Sequence, residues 1–260
     1  MQVSTSRLIC LGGAASFIAF AVAGCTTPAQ PPAVTSEADV LVVSEEPSVA
    51  SSEAPPVSDL CLASGPQTPR DIANVYGLNP IKFSLAPEPE TLNLCNIHSH
   101  ANAEHKAPGF SVYAGDGPAG GYQCNETAEL TEAELVDPAA GEGAFKGVKP
   151  GDTIEVHWVY SSCDVSPGEG LGSCLSDTCQ NPTLRVEAQA FLVVNDAAAI
   201  NFNDYVYENT VINGVHQPKA LPAGTGTPVV FRGSTTGPSY DQSTCSPLQV
   251  TWSVRPTCAR

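Results

Sequence analysis

Six stretches of the chain carry the period of a β-strand. Asp152–Tyr160 (DTIEVHWVY) alternates after the turn Lys149-Pro150-Gly151, as a strand with two unlike faces does. Leu92–His100 and Phe110–Ala114 also read as strands, the second closed by Gly115-Asp116-Gly117-Pro118. Thr183–Val194 (TLRVEAQAFLVV) alternates first and is then apolar on both sides, which predicts a strand running through the sheet centre. Thr227–Phe231 and Leu248–Val254 complete the set. Helical signals are few. Thr68-Pro69-Arg70-Asp71 predicts a short helix ended by Gly77, and Thr131-x-x-Glu134 predicts a second reaching about Val136. No internal repeat is visible. The pattern predicts a mainly β fold: a single domain on a largely antiparallel twisted sheet with a few short helices.

The N-terminal part departs from this pattern. Residues 1–24 hold one basic residue, Arg7, and then the apolar run Leu8–Ala23, too short for a comfortable membrane span and shaped like a signal peptide. Val22-Ala23-Gly24-Cys25 resembles the lipobox of bacterial lipoproteins, which implies cleavage before Cys25 and a lipid on its thiol. Thr26 follows where inner-membrane lipoproteins carry Asp, so the expected address is the outer membrane, facing the periplasm or cell surface. Residues 25–59 are rich in Pro, Ala, Ser, Val and Glu without sustained periodicity. They bury too little apolar surface to offset ordering entropy and read as a tether reaching roughly 30–35 Å. Residues 60–260 remain for the domain, about 200 residues and enough for one sizeable core.

Charge narrows the function classes. The net charge is −16, with eleven Lys and Arg in all, which excludes a nucleic-acid surface because phosphate binding needs clustered cations. No protein partner is evident from the sequence. Eight cysteines lie in the domain: Cys61, Cys95, Cys124, Cys163, Cys174, Cys179, Cys245 and Cys258. An even count in an exported chain predicts up to four disulfides of undetermined connectivity. The loop Ser161–Pro182 holds three of them. Cys174-x4-Cys179 would also suit a zinc knuckle, but no second close pair completes such a site.

Asn93–Ala107 (NLCNIHSHANAEHKA) carries the candidate chemistry. On a strand His98 and His100 share a face, about 6.5–7 Å apart, and two such imidazoles can meet one metal ion. A third ligand has to come from a neighbouring strand, and Asp152–Tyr160 offers His157 on the same face as Glu155. Three neutral imidazoles with one open position make a catalytic zinc site, whose bound water ionises near neutrality to a nucleophilic hydroxide. A ligand histidine also needs an acceptor to fix its tautomer, and Glu155, on the same face, or equally a neighbour's backbone carbonyl would serve His157.

The runs NIHSHANAEHKAPGFSVYAGDG, GVKPGDTIEVHWVYSSCD, LGSCLSDTCQNP and FRGSTTGPSYDQSTCSPLQVTWSVRP resemble the delta class of carbonic anhydrases, in order, over nearly all of Leu92–Cys258. Where that family carries His-Phe-His this chain has His98-Ser99-His100, which spares both ligands. A fainter similarity links the same stretches to the alpha class, through Ala103-Glu104-His105, Glu155-Val156-His157 and Gly233-Ser234-Thr235-Thr236-Gly237-Pro238 ahead of Val250-Thr251-Trp252.

The resemblance implies an alpha-carbonic-anhydrase-like sheet and reversible hydration of CO2 to bicarbonate by a zinc-bound hydroxide. His98, His100 and His157 would be the ligands and Glu155 the partner of His157. Glu104 would orient the hydroxyl of a gatekeeping threonine, either Thr235 or Thr236. His105 is expected as a hydrogen-bonded scaffold residue, and His216, in a predicted loop, is a candidate proton shuttle. Trp158 is expected in the core, and Phe191 or Phe231 in the apolar pocket wall. The cofactor is zinc, the small-molecule partners are CO2 and bicarbonate, and the membrane is met through Cys25.

Two other functions fit the histidines. His98-x-His100-x3-Glu104 with Gly109 downstream resembles the first cupin motif, in which Glu104 would itself bind iron or manganese. Alternatively, a non-catalytic periplasmic metal-binding lipoprotein would close the site with a fourth ligand, His105. In the carbonic anhydrase reading Glu104 stays one contact away from the metal.

Overall fold

The computed structural model describes residues 70–75, 82–116, 119–143, 145–208, 210–235, 246 and 248–260. The leader, the tether, Cys25, Cys61, Cys245 and Thr236 lie outside them. All six predicted strands form: β1 (Asn93–Ala101), β2 (Phe110–Tyr113), β4 (Thr153–Ser161), β5 (Leu184–Leu192), β8 (Val229–Ser234) and β9 (Gln249–Val254). The short strands β3 (Tyr122–Cys124), β6 (Val211–Ile212) and β7 (Val215–His216) are additional. Five of these make one sheet in the order β1-β4-β5-β9-β8. Every pair in it is antiparallel except β5–β9.

β5 takes the middle position, and each of its residues is buried, as its two-sided apolar end requires. Alternation then divides two cores. Val159, Val186, Ala188, Ala190, Phe231, Val250, Trp252 and Val254 fill one. Leu94, Ile154, Val156, Trp158, Tyr160 and Phe191 fill the other. Glu155 and His157 are also buried and alternate with the second set along β4, so they face the first core.

The two helix expectations are corrected. Described residues 70–75 form a bend, a bridge and a turn. Asp71 accepts from Ala73 N–H at 2.9 Å and pairs with Lys106 at 3.1 Å, while Ile72 N–H donates to Lys106 O at 3.0 Å. These contacts tie the segment to the 102–107 loop and leave no helical ladder. At Thr131 the capping box does form: Thr131 N–H donates to Glu134 Oε2 at 2.8 Å and Glu134 N–H to Thr131 Oγ1 at 3.3 Å. It closes a single turn only. Asp137 takes over with its own turn, accepting from Ala139 N–H and Gly141 N–H. The helices of the described residues are short 3-10 turns at Pro89–Thr91, Asn125–Glu129, Leu171–Cys174 and Phe202–Tyr205.

Three disulfides join described residues: Cys95–Cys174, Cys124–Cys258 and Cys163–Cys179. Cys174 and Cys179 belong to different bridges, which disposes of the zinc knuckle. Cys124–Cys258 spans 134 residues and clamps the chain end to β3. The paired substitution Cys124→Ser, Cys258→Ser is expected to remove on the order of 2–4 kcal/mol of stability, read as a lower urea midpoint in equilibrium unfolding.

Candidate metal centre

β1 and β4 pair with His98 opposite His157 and His100 opposite Glu155. Strand alternation turns all four side chains to the same face. The rings of His98 and His100 lie 5.0 Å apart centre to centre, His98 and His157 5.1 Å, and His100 and His157 4.7 Å. One nitrogen from each ring falls within 4.8 Å of the other two. His157 is buried; His98 and His100 are half-buried. The trio is therefore anchored in the sheet and open on one side.

Each ring has a neighbour at one nitrogen. His98 Nδ1 bonds Asn96 Oδ1, His100 Nδ1 stands 3.3 Å from Glu104 Oε1, and His157 Nε2 stands 3.3 Å from Glu155 Oε2. That leaves Nε2 of His98, Nε2 of His100 and Nδ1 of His157 for a metal ion. Three imidazoles with an acceptor or carboxylate beside each and one side open could hold a metal ion such as zinc. His157 Nε2 is buried without a hydrogen bond among the described residues, which fits a ring oriented by its charged neighbour and its metal nitrogen together.

Glu155 is the hub beneath the trio. It is fully buried, its Oε2 accepts from Glu104 N–H at 2.7 Å and its Oε1 bonds His105 Nδ1 at 3.1 Å. His105 is buried too, its ring 4.7 Å from Trp252 and 6.1 Å from Phe231. The turn that delivers Glu104 and His105 follows β1. Asn102 adopts φ 60° and donates to Ala119 O at 2.7 Å. Ala103 then bridges Tyr122, with Gly121 packed so close that a Cβ there would meet Ala103 O at 2.2 Å.

His105, Glu155 and His157 form a second close-set trio. It is wholly buried, and both Glu155 oxygens are already engaged, so the open trio is the better candidate. Glu104 belongs to neither group among the described residues, which weighs against the cupin arrangement. His105 spends its Nδ1 on Glu155 and does not close the open trio.

Electrostatics favour neutral rings at His98 and His100. Burial, then the neighbouring His157 and His100, push His98 down to about 3. Burial and His157 lower His100 as well. Burial would lower His157 too, but the charge of Glu155 outweighs it and holds His157 above the ordinary value. Burial would raise Glu155, and the His105 and His157 imidazoles outweigh that to hold it well below the usual carboxylate range.

Thr235 lies buried just past β8, its N–H donating to Leu248 O at 3.2 Å and its hydroxyl bonded to Ser246. Phe231 shares the core face with His105 and Trp252, whereas Phe191 packs in the other core with Trp158. His216 is on β7. Its N–H donates to Asn93 Oδ1 at 3.0 Å and its Nε2 lies 3.2 Å from Ser166 Oγ. Asn93 is five residues along β1 from His98, about 16 Å, so the fold does not gather His216 with the trio. Two neighbours escaped the sequence reading. Asn96 was legible, since it stands two residues before His98 on the same strand; Ser246, across a loop from Thr235, carried no signal.

The proton balance fixes a pH dependence for the metal-free chain. Below the ordinary value of 6.5 the unfolded chain protonates His98 and His100 while the folded chain resists. Their contribution is present above 6.5 and lost as pH falls. His157 has the opposite sign: its contribution is full below 6.5 and lost as pH rises through its raised value. Stability in EDTA is thus expected to fall from about pH 6.5 to pH 5, by up to about 1.4 kcal/mol per pH unit for His98, with His100 acting in the same direction. Urea midpoints across that range measure it, and the slope should flatten in His98→Asn.

The family model described as delta carbonic anhydrase matches residues 89–260, well over half of the chain. No curated protein and no solved structure matches the chain significantly. The matched segment runs from just before β1 to the last residue and contains the whole sheet with its three imidazoles, and on that match the chain belongs to the delta carbonic anhydrase family.

Proposed function

We propose that the protein catalyses the zinc-dependent, reversible hydration of CO2 to bicarbonate and a proton, with His98, His100 and His157 as the zinc ligands. The observation that carries this is the register His98 opposite His157, which sets three imidazoles on one face within the family match. Zinc bound there supplies a Lewis acid that lets a coordinated water lose its proton near neutrality.

The chain's own residues do the rest. Asn96 bonds one nitrogen of His98, and Glu104 and Glu155 stand 3.3 Å from one nitrogen of His100 and of His157, so the rings are oriented before metal arrives. Glu155 also fixes the Glu104 backbone through its N–H and so couples the two strands. Trp252, 5.2 Å from the His157 ring, and Phe231 give that side an apolar wall, suited to a substrate without charge or dipole. In the family-based assignment, Glu104 with Thr235 or Thr236 aims the attacking oxygen at CO2. A lipid on Cys25 would hold this chemistry at the outer membrane through the 25–59 tether.

One zinc per chain and stopped-flow CO2 hydration well above buffer are expected. Stoichiometric iron, or no turnover with zinc bound, would overturn the proposal. His157→Ala should lose metal and activity together, since it removes one of three ligands. Glu104→Gln should retain zinc and lose turnover by at least about tenfold, corresponding to 1.4 kcal/mol. If Glu104→Gln strips the metal as His157→Ala does, Glu104 is a ligand and the cupin arrangement replaces this one. Cys25→Ser should move the protein from membrane to soluble fractions with its specific activity unchanged.

A further inference from the structure

β1 does not reach His98 as a regular strand. Its pairing with β4 shifts register between Leu94 and Asn96, so Cys95 is the extra residue of a β-bulge, a device that re-aims the side chains after it. The bulge is fastened from outside the sheet. Cys95 is buried and disulfide-bonded to Cys174 in the loop between β4 and β5. Its carbonyl accepts from Gly168 N–H at 3.0 Å and from Ser173 Oγ at 2.6 Å. Ser173 Oγ is also 2.7 Å from Gly170 O, so the loop is knotted on itself where it grips the strand.

The next residue, Asn96, spans the loop and the metal centre. Its Nδ2 donates to Gly168 O at 2.8 Å, and its Oδ1 bonds His98 Nδ1. A carbonyl can only accept, so Gly168 O selects the amide nitrogen and turns the amide oxygen to His98. An amide oxygen also only accepts, so Nδ1 of His98 must carry the proton and Nε2 the lone pair. Loop geometry is thereby converted into a ligand tautomer.

We propose that the Cys95–Cys174 disulfide and the loop it anchors form a positioning device for the metal centre. Acting through the bulge, Gly168 O and the Asn96 amide, they hold His98 in its metal-binding tautomer, so that zinc affinity depends on a bridge whose sulfurs touch neither metal nor substrate. The zinc arm of this inference rests on the proposed function above; the tautomer arm does not.

The test is a mutant cycle on the full chain. Zinc affinity is measured by chelator competition in wild type, Asn96→Ala, the pair Cys95→Ala with Cys174→Ala, and all three substitutions together. The His98 tautomer is read in the metal-free proteins from imidazole nitrogen shifts. Asn96→Ala should weaken zinc binding about 10–100-fold, and the disulfide-free pair should weaken it in the same direction. The triple variant should be no weaker than Asn96→Ala alone, because both act on one ring. His98 should be the Nδ1–H tautomer in wild type and a mixture without the disulfide.

Cys124→Ala with Cys258→Ala, which removes a different bridge, should lower stability and leave zinc affinity and tautomer as they were. If the Cys95/Cys174 pair does not fold, Ser173→Ala leaves the bridge in place and should give a smaller shift of the same sign. Unchanged affinity and tautomer in the folded variants, or losses that multiply in the triple variant, would overturn the inference. Wild type that binds no zinc yet shows the disulfide-dependent tautomer would overturn the zinc reading and uphold the positioning device.

Discussion

A carboxylate with no access to water governs the centre of this molecule. Glu155 is fully buried on β4, where an unpaired charge would cost several kcal/mol. It is tolerated because three groups converge on it: the Glu104 N–H, His105 and His157. Each neighbour is in turn placed by the demand. The 102–105 turn must curl back to β4, His105 must enter the core against Trp252, and His157 must present its other nitrogen outward. Remove the carboxylate and the turn after β1 loses the acceptor of its Glu104 N–H and the partner of His105. The open histidine trio lies directly above this buried knot.

That dependence also explains what the sequence could and could not tell. Strand alternation made β1, β4, β5, β8 and β9 readable, and with them the shared face of His98, His100, His157 and Glu155, because a period of two is local information. The central place of β5 was readable for the same reason. The helix signals misled because caps and boxes are equally local: Asp71 pairs with Lys106 across 35 residues, and the Thr131–Glu134 box forms but is cut short by the Asp137 turn. His216 could not be placed from its loop-like surroundings, since only the fold sets it against Asn93. Disulfide pairing and the Thr235–Ser246 contact join parts of the chain that carry no mutual pattern.

The sheet keeps its two faces for different work. One holds the polar knot under Trp252 and Phe231. The other is lined by Ile154, Val156, Trp158 and Tyr160, with Phe191 and Phe202 stacked edge to face at 4.9 Å. This apolar backing makes β4 rigid where its two chemical side chains project the opposite way. A strand with water on its second face would have to hold the same histidines with far less packing.

The place of β9 in the sheet has a consequence for how the molecule comes into being. The last strand of the chain is not an edge: it lies between β5 and β8, parallel to the first and antiparallel to the second. Until it is threaded in, β5 has an open side, β8 has no partner in the sheet, and the His105 and His157 rings lack Trp252 above them. Such long-range closure makes for slow folding. The register of His98, His100 and His157 lies wholly within the β1–β4 pair, whereas the packing of His105 and His157 on Trp252 waits for β9. A copy that lacked β9 would keep the paired histidine strands and lose the aromatic packing behind them.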